Sequence, residues 1–131
     1  MKVSRRQERI WALQALYRLD LIDDMDLRAA DKGISDIKTR ENIDDQPYYF
    51  EKIVKGVLTQ QGKYDRQINL KAIDWKINRM ALIDRNILRI ALYELDNNLP
   101  VGVVINEAVE LAKEYGDEKS ASFINGILAK I

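Results

Sequence analysis

An all-α fold, a compact single-domain bundle of six to seven helices, is what this chain of 131 residues predicts. Two observations carry that expectation. Only two prolines and six glycines interrupt the chain, and apolar residues recur at three- and four-residue spacing, the period of one helix face. Long alternating apolar–polar runs bounded by turn residues, the mark of strands, are absent.

Each element follows from local signals. Ser4-Arg5-Arg6-Gln7 fits a capping box, and Ile10, Leu13, Leu16, Tyr17 and Leu21 carry an apolar stripe from there to about Ile22. Trp11 lies opposite that stripe, either exposed or packed on a loop. A short helix from Asp26 to Ala30 is the most that residues 22–47 suggest. Residues 33–46 lack strong periodicity and are expected to form the longest loop. Asp45 or Gln46, ahead of Pro47, opens the next helix, because proline is tolerated in a first turn. Its face runs through Tyr49, Phe50, Ile53, Val54 and Val57 to Ile68, with Gly56 and Gly62 inside it. A connector over Ile73–Arg79 holds Trp75.

From about Asp84 to Leu95 the apolar positions spread over roughly 200° of the helix circumference, which predicts a central helix packed by several neighbours. Glu94 falls inside that arc and needs a partner. Pro100 restarts the chain, and Val103 to Tyr115 is amphipathic, with Val104, Ala108, Leu111 and Ala112 facing inward and Glu107 and Glu110 outward. Gly116 supplies a left-handed stop. The last helix runs from about Glu118 towards Ile131, with Gly126 at a close helix contact.

Composition excludes several function classes. The chain has no histidine and no cysteine, which removes disulfides, thiol nucleophiles, imidazole acid–base catalysis and the usual zinc sites. Lys plus Arg and Asp plus Glu number 21 each, so a uniformly basic nucleic-acid wrapper is excluded and a local patch is not. No apolar stretch approaches the roughly 18 residues of a membrane span, and the charged N-terminus lacks an apolar signal region, so a cytoplasmic protein is expected. Asp23-Asp24 and Asp44-Asp45 are adjacent carboxylates in acidic loops, where solvation accounts for them better than a metal does. No glycine-rich phosphate loop and no nucleophile–base pair stands out. The expectation is a protein that is not an enzyme and holds no cofactor or metal.

The concentrated charge is at the start. Residues 1–18 carry Lys2, Arg5, Arg6, Arg9 and Arg18 against Glu8 alone, a net +4. Cations in a first helical turn oppose the macrodipole, each at a cost of roughly 0.3–1 kcal/mol, so stability alone favours acidic residues there. Arginines in this array suit phosphate, which a guanidinium grips with two bonds. A solvated helix start, with arginine stems lying over the core rim, accounts for the same charge. Phe123, after Ser120 and Ser122, offers a base-stacking surface or a core side chain.

Three blocks in order resemble the NusB family of bacterial transcription antitermination factors. They are Arg6-x-x-Arg9-x-x-Ala12-x-Gln14-Ala15-Leu16-Tyr17, then Asp84-Arg85-x-x-Leu88-Arg89-x-Ala91-x-Tyr93-Glu94-Leu95. The third is Pro100-x-x-Val103-x-Ile105-Asn106-Glu107-Ala108-Val109-Glu110-Leu111-Ala112-Lys113, continuing to Phe123-Ile124-Asn125-Gly126-Ile127-Leu128. Residues 22–47 lie outside the resemblance.

The resemblance implies an RNA-binding protein that takes boxA-type single-stranded RNA of nascent ribosomal transcripts. It would do so together with NusE, a small-subunit ribosomal protein, within the RNA polymerase antitermination complex. It places RNA contacts at Lys2, Arg5, Arg6, Arg9, Lys119 and Phe123, and the NusE-facing surface at Tyr17 and Asp84. Arg89, Glu94, Asn106 and Asn125 belong to the family pattern and are expected to serve structure. A homodimer is a further partner state the resemblance allows. Gln7 in place of a base, and no basic tail after Ile131, point to weaker RNA affinity for the protein alone. Two other readings stand beside it: a helical protein-interaction scaffold that binds no RNA, and a NusB-like partner of an RNA methyltransferase. For folding, the dipole argument predicts that Arg9→Ala barely weakens stability.

Overall fold

The structure, a computed structural model, describes residues 2–73 and 75–131; Asp74, inside the expected connector, lies outside them. Among the described residues are seven α-helices and no strand: α1 (Arg5–Leu21), α2 (Leu27–Arg40), α3 (Tyr49–Thr59), α4 (Gln61–Lys71), α5 (Leu82–Asp96), α6 (Val101–Tyr115) and α7 (Ser120–Leu128). A 3-10 turn, Ile77–Arg79, lies between α4 and α5. The predicted bundle is therefore present, and α5 is its centre, packed against α1, α3, α4, α6 and α7.

Ser4 starts α1 as its spacing predicts, its hydroxyl accepting the Gln7 N–H at 3.0 Å. Trp11 is buried, because α1 is covered on a second side by α3, and its ring meets Phe50 edge-on with centroids 5.4 Å apart. The expected long loop at 33–46 is corrected: α2 runs through to Arg40. Asp26 caps it, accepting the Ala29 N–H at 2.8 Å, and Ala30, Gly33, Ile34 and Ile37 form its buried face. That stripe is short and half made of small residues, which is why its period was hard to see.

The loop that does follow is pinned from below. The buried Lys38 ammonium reaches Glu51 at 3.1 Å, Asp45 at 3.3 Å and the Gln46 carbonyl at 3.0 Å. The next helix begins at Tyr49, two residues after Pro47, not at Pro47 itself. The Glu51 carboxylate takes the Tyr48 N–H at 2.6 Å and fixes the start there. The single face expected from 49 to 68 is broken at Gln60, whose backbone (φ −108°, ψ 16°) leaves the helical region between α3 and α4. Gly56 sits where the Tyr93 ring crosses α3, and a Cβ there would overlap that ring.

Two glycine expectations are corrected. Gly116 is extended (φ −88°, ψ −171°), not left-handed. Its missing Cβ instead leaves room for the Ser120 side chain and the Ala112 carbonyl. Gly126 faces open space and makes no close helix contact.

Most charges entering the core arrive paired. Asp20 of α1 accepts from Arg85 Nε at 2.6 Å, Asn86 Nδ2 at 2.9 Å and Arg89 Nη1 at 3.1 Å. Arg89 closes the network on Asp65 of α4 at 2.8 and 3.0 Å. Burial pushes the Asp20 carboxyl up, but hydrogen bonds from Arg85 and Asn86 and the charges of Arg89 and Arg85 outweigh it. The group is held below the ordinary carboxylate range.

A depressed carboxylate contributes stability that is present above its unfolded value, about 3.9, and lost as pH falls through the folded one. Asp20→Asn should therefore cost about 3–5 kcal/mol at neutral pH. In urea unfolding across a pH series, the gap between wild type and variant should narrow below about pH 4. A gap that stays constant down to pH 2 would remove Asp20 from the acid response.

Candidate nucleic-acid interface

The basic start of α1 divides in three dimensions. Lys2, Arg5 and Arg6 are exposed, whereas the Arg9 side chain retains 6% of its exposure. Arg9 Nε donates to both Glu94 oxygens, at 2.9 and 3.0 Å. The Tyr49 hydroxyl donates to Glu94 Oε2 at 2.6 Å, and burial followed by that contact pushes the Tyr49 hydroxyl well above its ordinary range. This is the partner that Glu94 required. It also overturns the expectation for Arg9: the dipole cost is real but small, and loss of a buried ion pair outweighs it.

One turn before Arg9, the Arg5 guanidinium lies 4.0 Å from the centroid of the Tyr49 ring. Its Nη1 is 3.6 Å from the Glu8 carboxylate, which also accepts the Phe50 N–H at 3.1 Å. A buried carboxylate thus fixes a tyrosine, and the tyrosine ring fixes an exposed arginine. Arg6 points the other way, and its Nε and Nη2 grip Glu107 of α6. Among the described residues Lys2 makes no ion pair.

Lys119 and Phe123 line a second feature, a cavity of about 690 Å³ between the α4–α5 connector, the start of α5 and α7. Phe123 is half-buried there, so its ring both packs on the core and faces the cavity. Trp75, 53% exposed, stands on the rim. Lys71, Arg79 and Lys130 join Lys119 around it, and none of these four makes an ion pair among the described residues. Asp84 is 8% exposed and its Oδ1 has no hydrogen-bond partner. Burial pushes its carboxyl up, against a hydrogen bond from Ser120 and with the help of Asp117. Tyr17 is half-buried on α1.

Spacing alone missed six participants, Lys71 and Lys130 on the cavity rim among them. Tyr49 and Glu107 act through pairings across the bundle. Trp75 and Arg79 reach the cavity because the connector folds back: Asn69 Oδ1 accepts the Ile77 N–H at 2.7 Å. Asn106 and Asn125, expected to be structural, are exposed. Among the described residues no three carboxylate, imidazole or thiol side chains gather as a metal site, and no helix is long and apolar enough to cross a membrane.

With this geometry in hand, the relatives are informative. The family model described as the NusB family matches residues 6–131. A transcription antitermination protein NusB from Halothermothrix orenii is 55% identical over 99% of this chain and 97% of its own. The protein of the same name from Bacillus subtilis is 40% identical over 98% and 95%. Among solved structures, Thermotoga maritima NusB aligns with a TM-score of 0.81 at 32% identity, covering 99% of this chain and 91% of that one. A crystal structure of the antitermination factors NusB and NusE in complex with dsRNA aligns at 0.82 and 28% identity, over 96% and 93%.

Removing the Arg9 side chain strands a buried carboxylate, so Arg9→Ala should lose about 3–5 kcal/mol in urea unfolding. Arg5→Ala, exposed, should stay within about 0.5 kcal/mol of wild type. Equal effects for the two would mean that Arg9 is solvated.

Proposed function

The chain belongs to the NusB family, and from that premise we propose that it is a transcription antitermination factor. In this reading it binds boxA-type single-stranded RNA together with NusE, and helps RNA polymerase read through terminators. The observation that carries it is similarity over nearly the whole chain to proteins of that function, one of them solved with NusE and RNA.

The RNA contacts are Lys2, Arg5, Arg6, Lys119 and Phe123. The exposed arginines supply forked phosphate bonds, and Phe123 supplies a ring for base stacking. Arg9 is a positioning residue, acting through Glu94 and Tyr49 on Arg5. Tyr17 and Asp84 face NusE, where the unpartnered acceptor Asp84 Oδ1 suits a donor from the partner. The protein is a binding factor of the cytoplasm and performs no catalysis.

Anisotropy of labelled boxA RNA, titrated at two salt concentrations with and without NusE, tests this. Four phosphate contacts, from Lys2, Arg5, Arg6 and Lys119, give a slope of log affinity on log salt near about −2.8. Lys119→Ala should flatten it by about 0.7, while Arg9→Ala should leave the slope of the folded fraction unchanged. Binding should tighten with NusE and vanish for scrambled RNA. No binding even with NusE present would replace the reading with a protein-interaction scaffold.

A further inference from the structure

Arg6 already holds an anion. Its Nε meets Glu107 Oε2 at 3.1 Å and its Nη2 meets Oε1 at 3.2 Å. These are two parallel bonds along one guanidinium edge, the arrangement that a phosphate would take. One edge cannot serve both anions at once. Glu107 keeps 17% of its side-chain exposure and Arg6 keeps 56%, so the carboxylate is seated on α6 while the guanidinium remains reachable. The two residues are 101 positions apart, and the pair is a cross-bundle tie rather than a local helix contact. Glu110, Glu114 and Lys113 border the same small cavity, but Glu110 is paired with Lys113 at 3.6 Å, so Glu107 is the carboxylate that neutralises Arg6 directly.

Resting on the RNA-binding reading above, we propose that Glu107 is an affinity-setting residue, occupying the phosphate edge of Arg6 in the free protein and yielding it when RNA binds. The energetics suit an exchange. An exposed ion pair is weak enough to be displaced, whereas the buried Arg9–Glu94 pair is not. A single phosphate gains little over the carboxylate that it replaces. A strand that also engages Lys2, Arg5 and Lys119 gains enough in total. The tie therefore lowers binding of isolated anions relative to a polyanion in the right register.

Glu107→Gln keeps the side-chain shape and removes the charge. In anisotropy titrations with boxA RNA it should tighten binding about two- to fivefold, the worth of an exposed pair. In an Arg6→Ala background the same change should have no effect. Glu110→Gln, which deletes an equal charge outside the fork, should gain less. Unchanged or weaker binding of Glu107→Gln, with its urea unfolding midpoint as wild type, would overturn the proposal. So would a gain that persists without Arg6 or is matched by Glu110→Gln, since simple charge repulsion then suffices. Wild-type protein that binds no RNA, with or without NusE, removes the functional reading first and this inference with it. Wild-type binding with an unresponsive Glu107→Gln removes the inference alone.

Discussion

The contact between Arg9 and Glu94 sets the register of the bundle. Two charges withdrawn from water are tolerable only when they are paired closely and hydrogen-bonded. Here α1 supplies the cation, α5 the carboxylate and α3 the tyrosine that completes it. With that contact fixed, residues one turn away have little freedom. Trp11 meets Phe50, the Glu8 carboxylate reaches the Phe50 amide, and Arg5 comes to rest on the Tyr49 ring. The exposed basic surface is thus laid out by a pair that solvent scarcely reaches.

The central helix extends the same logic. Covered from five directions, α5 has almost no side on which to leave a charge in water. Arg89 is shared between Asp65 and Asp20, and Glu94 between Arg9 and Tyr49. Asp84 is the exception, with one carboxylate oxygen unmatched beside the cavity that Lys119 and Phe123 line. An unpaired buried acceptor is costly within a folded chain. Its place at the edge of a cleft is where a second molecule can complete it.

Much of this was legible from spacing, and the reasons for the failures are specific. Ser4, the wide apolar arc of α5 and the amphipathic pattern of α6 announce themselves because their causes are local. The stripe on α2 is hard to read in sequence because Gly33 and Ala30 carry its face as much as Ile34 and Ile37 do. Arg6 and Arg9 look alike on a helical wheel, yet one is exposed and the other buried. What separates them is the approach of α3, α5 and α6, which no local window contains. Glu107 reads as a solvated residue for the same reason. Gly116 does end α6, but crowding by Ser120 selects glycine there, not a left-handed backbone.

The long reach of the Arg9–Glu94 contact bears on how the protein is made. Its partners are 85 residues apart, and synthesis at roughly 5–20 residues per second separates their appearance by roughly 4–17 s. Throughout that interval the arginine-rich helix is outside the ribosome without its carboxylate, its tryptophan side uncovered until α3 emerges. During those seconds Arg9 has no carboxylate across the bundle to pair with, and the helix start carries its excess of cations uncompensated by α5 or α6. The order in which its helices leave the ribosome, and not only their final packing, governs when Arg9 is withdrawn from solvent and Arg5 and Arg6 are left as the exposed cations.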